Sequence, residues 1–223
     1  FQMRVCAQNV GGATLTERRG GGANGMTSLK IEVHMNKPAV LILSETRIED
    51  RSYLGHGVFR SMKNHQHASS GLRQGGVMVF VGKKWDLVDG SLYNDEHGTF
   101  TVGVYKYEGN TILICGIYGP TAGGDRMAYQ KFMVIEGKLR EITTLYRPNI
   151  ILMGGDLNLH LDRGDKKPQT CAKVREIIDE FNLTDWGEEE KEVTWRRPGR
   201  TKMKSRIDYI FTAGIRDAEL KLK

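Results

Sequence analysis

The stretch IILMGGDLN (residues 150–158) constrains the fold of this chain more than any other segment. Its apolar residues lead through two glycines to Asp156 and Asn158, which is the pattern of a buried strand that ends in polar side chains. Side chains on a strand alternate between its two faces, so positions two apart share a face. We therefore expect Asp156 and Asn158 to point into one site at the end of this strand, and a hydrolytic site is our working hypothesis.

The rest of the chain alternates apolar, strand-like runs with stretches of helical periodicity. Strands are predicted at residues 4–10, 39–43, 75–81, 100–107, 111–118, 192–195 and 205–212, with a further strand beginning at 217–223. Helices are predicted at residues 26–36, 126–146 and 172–181, and a hairpin turn at 108–110. Strands outnumber helices, and both hairpin and crossover connections occur. The pattern predicts two packed mixed sheets with helices outside them, in one domain spanning residues 1–223.

Residues 46–74 are polar and irregular, and we predict a loop there. His65 and His67 within it could place two imidazoles on one strand face as metal ligands. No cysteine or third histidine stands at a suitable spacing nearby, so a solvated loop is the favoured interpretation.

The formal net charge of +6 favours an anionic partner, with nucleic acid first. The three cysteines are an odd number, and Cys6 and Cys115 lie inside apolar runs, so we expect reduced thiols in a reducing intracellular compartment. No apolar run approaches about 18 residues, so no membrane span is predicted. The chain starts without Met, directly in a strand-like run, and we expect it to be a domain excised from a longer protein.

Polar residues capable of chemistry stand at the ends of several predicted strands. They are Asn9, Glu45, Tyr118, Asp156 with Asn158, and Asp208. Each has an ordinary alternative when taken alone. Glu45 could begin a loop, Tyr118 could cap a core, and Asp208 could pair with Arg206. Asp208 stands between apolar neighbours, where burying an isolated charge costs on the order of several kcal/mol, so a functional reason for it is expected. The agreement of five strand ends then favours one shared site.

Metal-assisted hydrolysis of a phosphodiester is the chemistry that suits this set of side chains. A hard divalent ion such as Mg²⁺ takes carboxylate oxygens and waters, so Glu45 is the predicted direct ligand. The metal neutralises charge on the scissile phosphate, and Asp156 can orient or deprotonate the attacking water. The neutral donors that can hold phosphate oxygens are Asn9, Asn158 and Tyr118.

A basic hairpin is predicted between Trp195 and Ile207, where six of the eleven residues are Lys or Arg. One interpretation is a solvated turn with ordinary surface charge. The other is a β-ribbon against double-stranded DNA, in which basic side chains contact phosphates and release counterions. The predicted DNA contacts are Arg196, Arg197, Arg200, Lys202, Lys204, Ser205 and Arg206.

Six short motifs follow one another along the chain: QN (8–9), SET (44–46), YGP (118–120), GDLN (155–158), TW (194–195) and SRIDYI (205–210). In this order they resemble the exonuclease III/apurinic endonuclease-like nucleases of the DNase I-like endonuclease/exonuclease/phosphatase superfamily. The last two motifs look most like the endonuclease domain of a non-LTR (LINE-type) retrotransposon. The resemblance implies a DNase I-like, four-layer α/β/β/α sandwich. It also implies an enzyme that uses Mg²⁺, with Mn²⁺ as an alternative, to nick one strand of DNA for target-primed reverse transcription.

The resemblance implies a role for each member of the strand-end set. Glu45 would bind the metal, and Asn9 would help through a water molecule. Tyr118 and Asn158 would contact phosphate. Asp156 would activate the attacking water or assist the leaving group.

Two further residues and the partners follow from the same resemblance. Thr194 would touch the DNA backbone, and Asp208 would orient a catalytic histidine. Double-stranded DNA is the implied substrate, and the implied neighbour is the reverse transcriptase domain of the same polyprotein. We expect a nuclear location, because the substrate is chromosomal DNA.

Two departures from the family pattern bear on activity. Gly11 stands where the repair enzymes place Asp or Asn, which argues against abasic-site activity. The family's Ser-Asp-His should follow Asp208, but the sequence ends at Lys223 before it. We therefore expect a truncated final strand and a chain that nicks DNA poorly. The alternatives are an abasic-site repair nuclease, a phosphoesterase acting on lipid headgroups or messenger poly(A), and a DNA-binding module without turnover.

Overall fold

The computed structural model describes residues 3–10, 33–35, 37–47, 61–70, 75–121, 124–161, 166–187, 194–196 and 204–214. The strands are β1 (Val5–Asn9), β2 (Val40–Ser44), β3 (Met62–Ala68), β4 (Val77–Gly82), β5 (Asp86–Leu87), β6 (Tyr93–Asn94), β7 (Phe100–Tyr107), β8 (Asn110–Tyr118), β9 (Ile150–Asp156), β10 (Thr184–Asp185), β11 (Trp195–Arg196), β12 (Lys204–Ser205) and β13 (Asp208–Ala213). The helices are α1 (Gly124–Tyr146) and α2 (Pro168–Glu180), and residues 33–35 are also helical. No helix within these ranges has the length and apolar character needed to cross a membrane.

The smaller sheet has the strand order β1-β2-β4-β3. β1 and β2 run parallel, whereas β2 and β3 are both antiparallel to β4. Every residue of the apolar β2 segment is buried, as expected for a strand that is covered on both faces. The parallel pairing places Asn9 opposite Ser44 at the ends of the two strands. Glu45 follows directly, so the amide and the carboxylate emerge side by side.

The larger sheet has the order β10-β13-β9-β8-β7-β5, and β6 also pairs with β7. The β7–β8 hairpin turns through Glu108 (φ 47°) and Gly109 (φ 76°), the two positive φ angles of a type I′ turn. β8 and β9 are parallel and are joined by α1, because parallel neighbours need a crossover connection. Tyr118 on β8 and Asp208 on β13 are both register partners of Asp156 on β9.

The two sheets pack face to face through an apolar core. Val40 and Ile42 come from the smaller sheet, and Ile112, Ile114 and Leu152 come from the larger one. All five side chains are buried, so this part of the interface between the sheets is apolar. The packing holds the carboxyl ends of β1 and β2 over those of β8 and β9.

Gly116 of β8 allows close approach between the sheets. A Cβ atom at this position would lie 2.8 Å from a methyl carbon of Val79 and 2.9 Å from one of Val77, both on β4. Real Cβ atoms do not come that close to branched side chains, and protein interiors have little free space to relieve the overlap. The separation of the sheets at this point therefore depends on the missing side chain.

Helical segments cover both outer faces. On the larger sheet, α1 buries one face that includes Phe132, Ile135 and Leu139, and α2 packs beside it with Val174 and Ile177. On the smaller sheet, helical residue 33 contributes to a separate cluster with residues of β2, β3 and β4. These layers confirm the predicted four-layer α/β/β/α sandwich.

Most element boundaries agree with the sequence prediction. The strands at residues 4–10, 39–43, 75–81, 100–107 and 111–118 and the helix at 126–146 match observed elements. The single strand predicted at 205–212 is wrong in part, because that range is divided between β12 (Lys204–Ser205) and β13 (Asp208–Ala213), which belong to different sheets. α2 begins at Pro168, four residues before the predicted start at 172, because proline is well suited to the first turn of a helix. The two-residue strands β5, β6 and β10 were not predicted. Residues 26–32, 36 and 217–223 lie outside the described part of the chain.

The loop predicted at residues 46–74 is wrong in part, because residues 62–68 form β3. β3 is an edge strand whose register against β4 is broken by a bulge, and a bulge interrupts the alternation that identifies a strand. His67 is only 9% exposed. The ring of His65 stacks on Tyr105 with 6.0 Å between centroids. These two histidines are therefore strand residues and do not belong to a solvated loop.

Cys6, Cys115 and Cys171 form no disulfide in the structure. Cys115 and Cys171 are buried and Cys6 is half-buried. Burial raises the pKa of the Cys115 thiol, which keeps it protonated.

Candidate active site

The ends of five strands meet at one edge of the two-sheet sandwich. The residues they carry there are Asn9 from β1, Glu45 after β2, Tyr118 from β8, Asp156 from β9 and Asp208 from β13. Three register relationships fix this grouping: Asn9 with Ser44, Tyr118 with Asp156, and Asp208 with Asp156. The described structure therefore brings together, from both sheets, the strand-end residues that the sequence predicts to share a site.

Asp156 lies at the centre of the group and is 1% exposed. Its Oδ2 accepts a 2.6 Å hydrogen bond from Nδ2 of Asn9. Its Oδ1 accepts a 2.8 Å bond from the backbone N–H of Asn158. Both carboxylate oxygens are therefore held, one from the smaller sheet and one from the following turn.

The proton affinity of Asp156 is far above that of an ordinary aspartate. Burial raises its pKa to about 7, with further contributions from the negative charges of Asp208 and Glu45. The hydrogen bonds from Asn158 and Asn9 oppose this increase, because they favour the charged carboxylate. A carboxyl with a pKa near 7 can take up or release a proton at physiological pH.

Asp208 faces Asp156 across the β9–β13 pair. Burial also raises the pKa of Asp208, and a hydrogen bond with Thr194 opposes the change. Within the described ranges, its Oδ1 atom is buried and has no hydrogen-bond partner. A buried carboxylate oxygen without a partner is costly in a folded protein, so it marks a place where a cation, a water or a donor is needed.

Tyr118 borders the same space and is 9% exposed. Burial raises the pKa of Tyr118 to about 12, and the charges of Glu45 and Asp156 act in the same direction. A hydrogen bond with Thr121 and the charge of Arg47 act against it. The hydroxyl is therefore protonated at neutral pH and is able to donate to an anionic oxygen.

Glu45 is partly exposed, and its carboxylate pairs with the guanidinium of Arg47. Both residues have left-handed backbones, with φ angles of 56° and 52°. Such angles are uncommon for residues other than glycine and often occur at functional sites. The sequence motifs do not include Arg47. Its position two residues after Glu45 is a local signal for an ion pair, but the direction in which its side chain points depends on the left-handed backbone.

Asn158 is also placed by a turn, because β9 ends at Asp156. Its φ angle is 51°, and its Nδ2 donates a 2.8 Å hydrogen bond to the carbonyl of Gly119. Strand alternation therefore stops before Asn158. The residue is tied to Asp156 through its own backbone N–H, and its side chain binds the turn that follows Tyr118.

The donor set fits a hard divalent cation. Among the described residues, no three His, Cys, Asp or Glu side chains lie close enough to form a ready-made metal cluster. Mg²⁺ does not require one, because it is usually held by one or two carboxylates and several waters. The Oδ1 of Asp208 has no hydrogen-bond partner among the described residues, and burial, with the charges of Asp208 and Glu45, raises the pKa of Asp156; a bound cation would relieve both. The carboxylate oxygens of Glu45 and the amide oxygen of Asn9 suit Mg²⁺ or Mn²⁺.

The predicted DNA contacts are only partly described. β11 and β12 pair at the base of the basic hairpin predicted between Trp195 and Ile207, which we call the basic ribbon. Arg197, Arg200 and Lys202 lie outside the described residues. Only the backbone of Arg196 and Lys204 is described. Ser205 is half-buried, and Thr194 is exposed.

Thr194 connects the ribbon to the site. Its Oγ1 accepts hydrogen bonds of 3.1 Å from the backbone N–H groups of Ile207 and Asp208. The hydroxyl therefore fixes the segment that enters β13 and helps to position the Asp208 carboxylate.

Arg206 is buried, with 8% exposure. Its guanidinium pairs with Asp185 on β10 and lies 4.4 Å from the ring centroid of Tyr209. The alternative in which Arg206 pairs with Asp208 is not observed. The buried ion pair explains this guanidinium better than contact with DNA.

Comparisons with known proteins agree with this architecture. The sequence matches the Endonuclease/Exonuclease/phosphatase family over residues 7–218. The comparison with curated proteins gives no match.

Three solved structures illustrate the shared fold. The AP endonuclease LMAP from Leishmania major has a TM-score of 0.66 and 17% identity, over 95% of this chain and 78% of that chain. Truncated TDP2 from Caenorhabditis elegans has a TM-score of 0.62 and 18% identity, over 85% of this chain and 76% of that chain. The endonuclease domain of TRAS1, a telomere-specific non-LTR retrotransposon, has a TM-score of 0.59 and 17% identity, over 85% of this chain and 80% of that chain. At these identities the likeness shows the fold alone.

Proposed function

The chain belongs to the endonuclease/exonuclease/phosphatase family, and we propose that it is a divalent-metal-dependent endonuclease that nicks one strand of double-stranded DNA. The finer proposal is a LINE-type retrotransposon endonuclease, whose nick supplies the primer for reverse transcription. The likeness to the TRAS1 endonuclease domain supports the proposal of a retrotransposon endonuclease, and so do the TW and SRIDYI motifs.

The observation that carries the proposal is the pair of facing carboxyls, Asp156 and Asp208. Burial raises the pKa of both groups. A structural role would be better served by apolar residues, since two buried like charges repel each other. Hydrolysis of a phosphodiester would use this pair of carboxyl groups, because the reaction requires a base for the attacking water and compensation of charge at the phosphate.

Asp156 is the proposed base. Without a bound ion its pKa is about 7, so the carboxyl can accept a proton from the attacking water and release it near neutral pH. Asn9 holds one carboxylate oxygen and thereby orients the group. Asp208 raises the proton affinity of Asp156, and its open Oδ1 can accept a hydrogen bond from a protonated group beside the phosphate.

Tyr118 and Asn158 are the proposed phosphate contacts. The protonated hydroxyl of Tyr118 can donate to a phosphate oxygen without adding charge to the site. The side chain of Asn158 is kept near by its bond to the Gly119 carbonyl and has a second amide hydrogen to offer.

Glu45 and Asn9 are the residues that would hold Mg²⁺, or Mn²⁺ in its place, Glu45 directly and Asn9 through water. When bound, the ion would neutralise charge on the scissile phosphate and on its leaving oxygen. Glu45 is suited to this role because its carboxylate lies at the partly exposed rim of the site, where it is accessible to an ion that keeps some of its waters.

The basic ribbon is the proposed DNA-binding element beside the site. Its basic residues are Arg196, Arg197, Arg200, Lys202 and Lys204, and Thr194 and Ser205 stand at its base. Contacts of this kind are mainly electrostatic and depend on salt. Action on chromosomal DNA would place the protein in the nucleus, with a reverse transcriptase domain in the same polyprotein.

A substrate panel tests the proposal. Supercoiled plasmid, a duplex with one abasic site, and an inositol phosphate are each incubated with the protein in Mg²⁺ and in EDTA. We expect slow, metal-dependent conversion of plasmid to open circles, in keeping with the weak nicking predicted from the sequence, and loss of that activity in Asp156→Asn. Preferential cleavage at the abasic site would favour a repair nuclease, and phosphate release from the inositol would favour a different phosphoesterase. Plasmid binding without any product would indicate a DNA-binding module.

A further inference from the structure

Arg47 is a cation that the proposed reaction does not yet use. Its guanidinium pairs with the carboxylate of Glu45 at the rim of the site. The side chains are 46% and 19% exposed, respectively, so the pair is open to solvent mainly on the arginine side. Arg47 and Glu45 act in opposite directions on the pKa of Tyr118, which places the guanidinium close to a proposed phosphate contact.

The backbone that presents this pair is held in place. Glu45 and Arg47 have left-handed φ angles, and Thr46 between them is 1% exposed. The backbone N–H groups of Thr46 and Arg47 donate to the carbonyls of Gly76 at 3.2 Å and Gly75 at 2.8 Å. These bonds anchor the segment to the two glycines that precede β4, so a change of partner by Arg47 requires only rotation of its own side chain.

Glu45 cannot serve two cations fully at the same time. It is the proposed metal ligand, yet in this structure the guanidinium of Arg47 lies against it. A divalent ion that takes the carboxylate must displace the guanidinium or share the oxygens with it. The displaced side chain would then be a long, mobile cation at the edge of a phosphate-binding site, where it is suited to contact DNA.

We propose that Arg47 is an exchangeable counter-ion, which balances Glu45 when no divalent ion is bound and turns to a DNA phosphate when the ion takes the carboxylate. This inference rests on the proposed function, since it needs both a divalent ion and a nucleic acid substrate. It makes metal binding and DNA binding depend on one another through one side chain.

The first test measures Mn²⁺ binding to the protein alone, without DNA, by the loss of the free-ion signal in electron paramagnetic resonance. Arg47→Gln should bind Mn²⁺ about twofold to fivefold more tightly than the original protein, because exposed ion pairs support differences of that size. Arg47→Glu should bind it more tightly still. Arg147→Gln is the matched control, because Arg147 is also exposed and left-handed (φ 47°) but precedes the opposite end of β9.

The second test measures how DNA affinity depends on salt, in EDTA and in Ca²⁺, which also prefers oxygen ligands. In Ca²⁺, Arg47→Gln should reduce the logarithmic salt slope by about 0.9, the value of one phosphate contact. In EDTA the slopes of the two proteins should be equal, because Glu45 already neutralises Arg47. An equal reduction in both conditions would mean that Arg47 is an ordinary surface charge, and would overturn the inference.

The outcomes separate this inference from the proposed function. If Arg47→Gln leaves Mn²⁺ affinity unchanged while the original protein nicks plasmid, the counter-ion role is wrong and the proposed function stands. If Mn²⁺ binding tightens as expected but no DNA is cut, the ion exchange at Glu45 stands and the nuclease proposal fails. If no protein in the series binds Mn²⁺, both are wrong.

Discussion

The side-chain amide of Asn9 donates a 2.6 Å hydrogen bond to Asp156, and this bond joins strand ends from two different sheets. The donor belongs to β1 of the smaller sheet and the acceptor to β9 of the larger one. The candidate site is therefore assembled by the packing of the sandwich and is not contained in either sheet.

Asn9→Ala should lower the nicking rate and move its pH dependence. The bond from Asn9 favours the charged form of Asp156, so its removal raises the pKa of that carboxyl further and makes the base available only at higher pH. A hydrogen bond to a charged group is worth about 1.5–3 kcal/mol, so kcat/KM at pH 7 should fall about tenfold to a hundredfold. Asn110→Ala, in the distant β7–β8 turn, is the control and should leave the acid limb of the pH profile in place.

The stability of the metal-free protein should increase as pH falls from 8 towards 5. Asp156 has a pKa of about 7 in the folded protein and 3.8 as its ordinary value. The folded state therefore binds this proton more strongly than the unfolded state, and stability is gained below pH 7 and lost above it. Each pKa unit corresponds to about 1.4 kcal/mol. Thermal unfolding in EDTA should show this slope, and Asp156→Asn should reduce it. An identical slope in both proteins would contradict the raised pKa.

Mg²⁺ should raise the melting temperature, and Glu45→Gln should abolish the effect. An ion that binds only the folded state stabilises it by mass action, by about 2.7 kcal/mol at a hundred times its Kd. Differential scanning fluorimetry across a Mg²⁺ titration measures the shift. Glu96→Gln removes a carboxylate that is 87% exposed and lies outside the site, so it should respond to Mg²⁺ like the original protein. Equal responses from both variants would remove Glu45 from the metal site.

Replacing Arg200, Lys202 and Lys204 with alanine should weaken DNA binding and flatten its salt dependence. Three lost phosphate contacts would reduce the logarithmic salt slope by up to about 2.7. A matched triple variant at Lys83, Lys84 and Lys106 removes the same charge from exposed positions away from the site. A fluorescence anisotropy titration at several salt concentrations compares them. Equal slopes in the two triple variants would show that net charge alone explains binding.

Arg206→Met should destabilise the fold, in contrast to Arg140→Met. Arg206 and Asp185 form a pair whose side chains are 7% and 14% exposed, and removal of one partner of a buried pair costs about 3 kcal/mol. Arg140 and Glu180 form a similar pair at 56% and 33% exposure, which should contribute less than about 1 kcal/mol. Urea unfolding measures both values. Similar losses would mean that burial does not distinguish the two bridges.

The fold could be predicted because its strong signals are local. β2, β4, β8 and β9 are apolar runs, and α1 has a regular apolar face, so the sandwich follows from the pattern. β3 was missed because a bulge breaks its alternation. The two-residue strands β5, β6 and β10 were missed because they are too short to show an alternating pattern.

The site was partly predictable for a related reason. Asn9, Glu45, Tyr118 and Asp156 each follow or end an apolar run, so their grouping could be inferred from strand ends. Arg47 could not be given a partner, because its direction depends on a left-handed backbone. The pairing of Arg206 with Asp185 joins residues 21 positions apart, and nothing in the local sequence indicates it. The catalytic and binding roles themselves stay predictions.

Gly116 sets the distance between the two sheets close to the candidate site. It lies on β8, two positions before Tyr118, and its missing side chain lets Val77 and Val79 approach the larger sheet. A methyl group there would act as a wedge, and the Asn9–Asp156 bond spans the gap that the wedge would widen. A substitution that touches no reacting group could therefore disable the site by increasing the distance between the two sheets. The apolar packing between the sheets is thus a requirement of the chemistry at their edge.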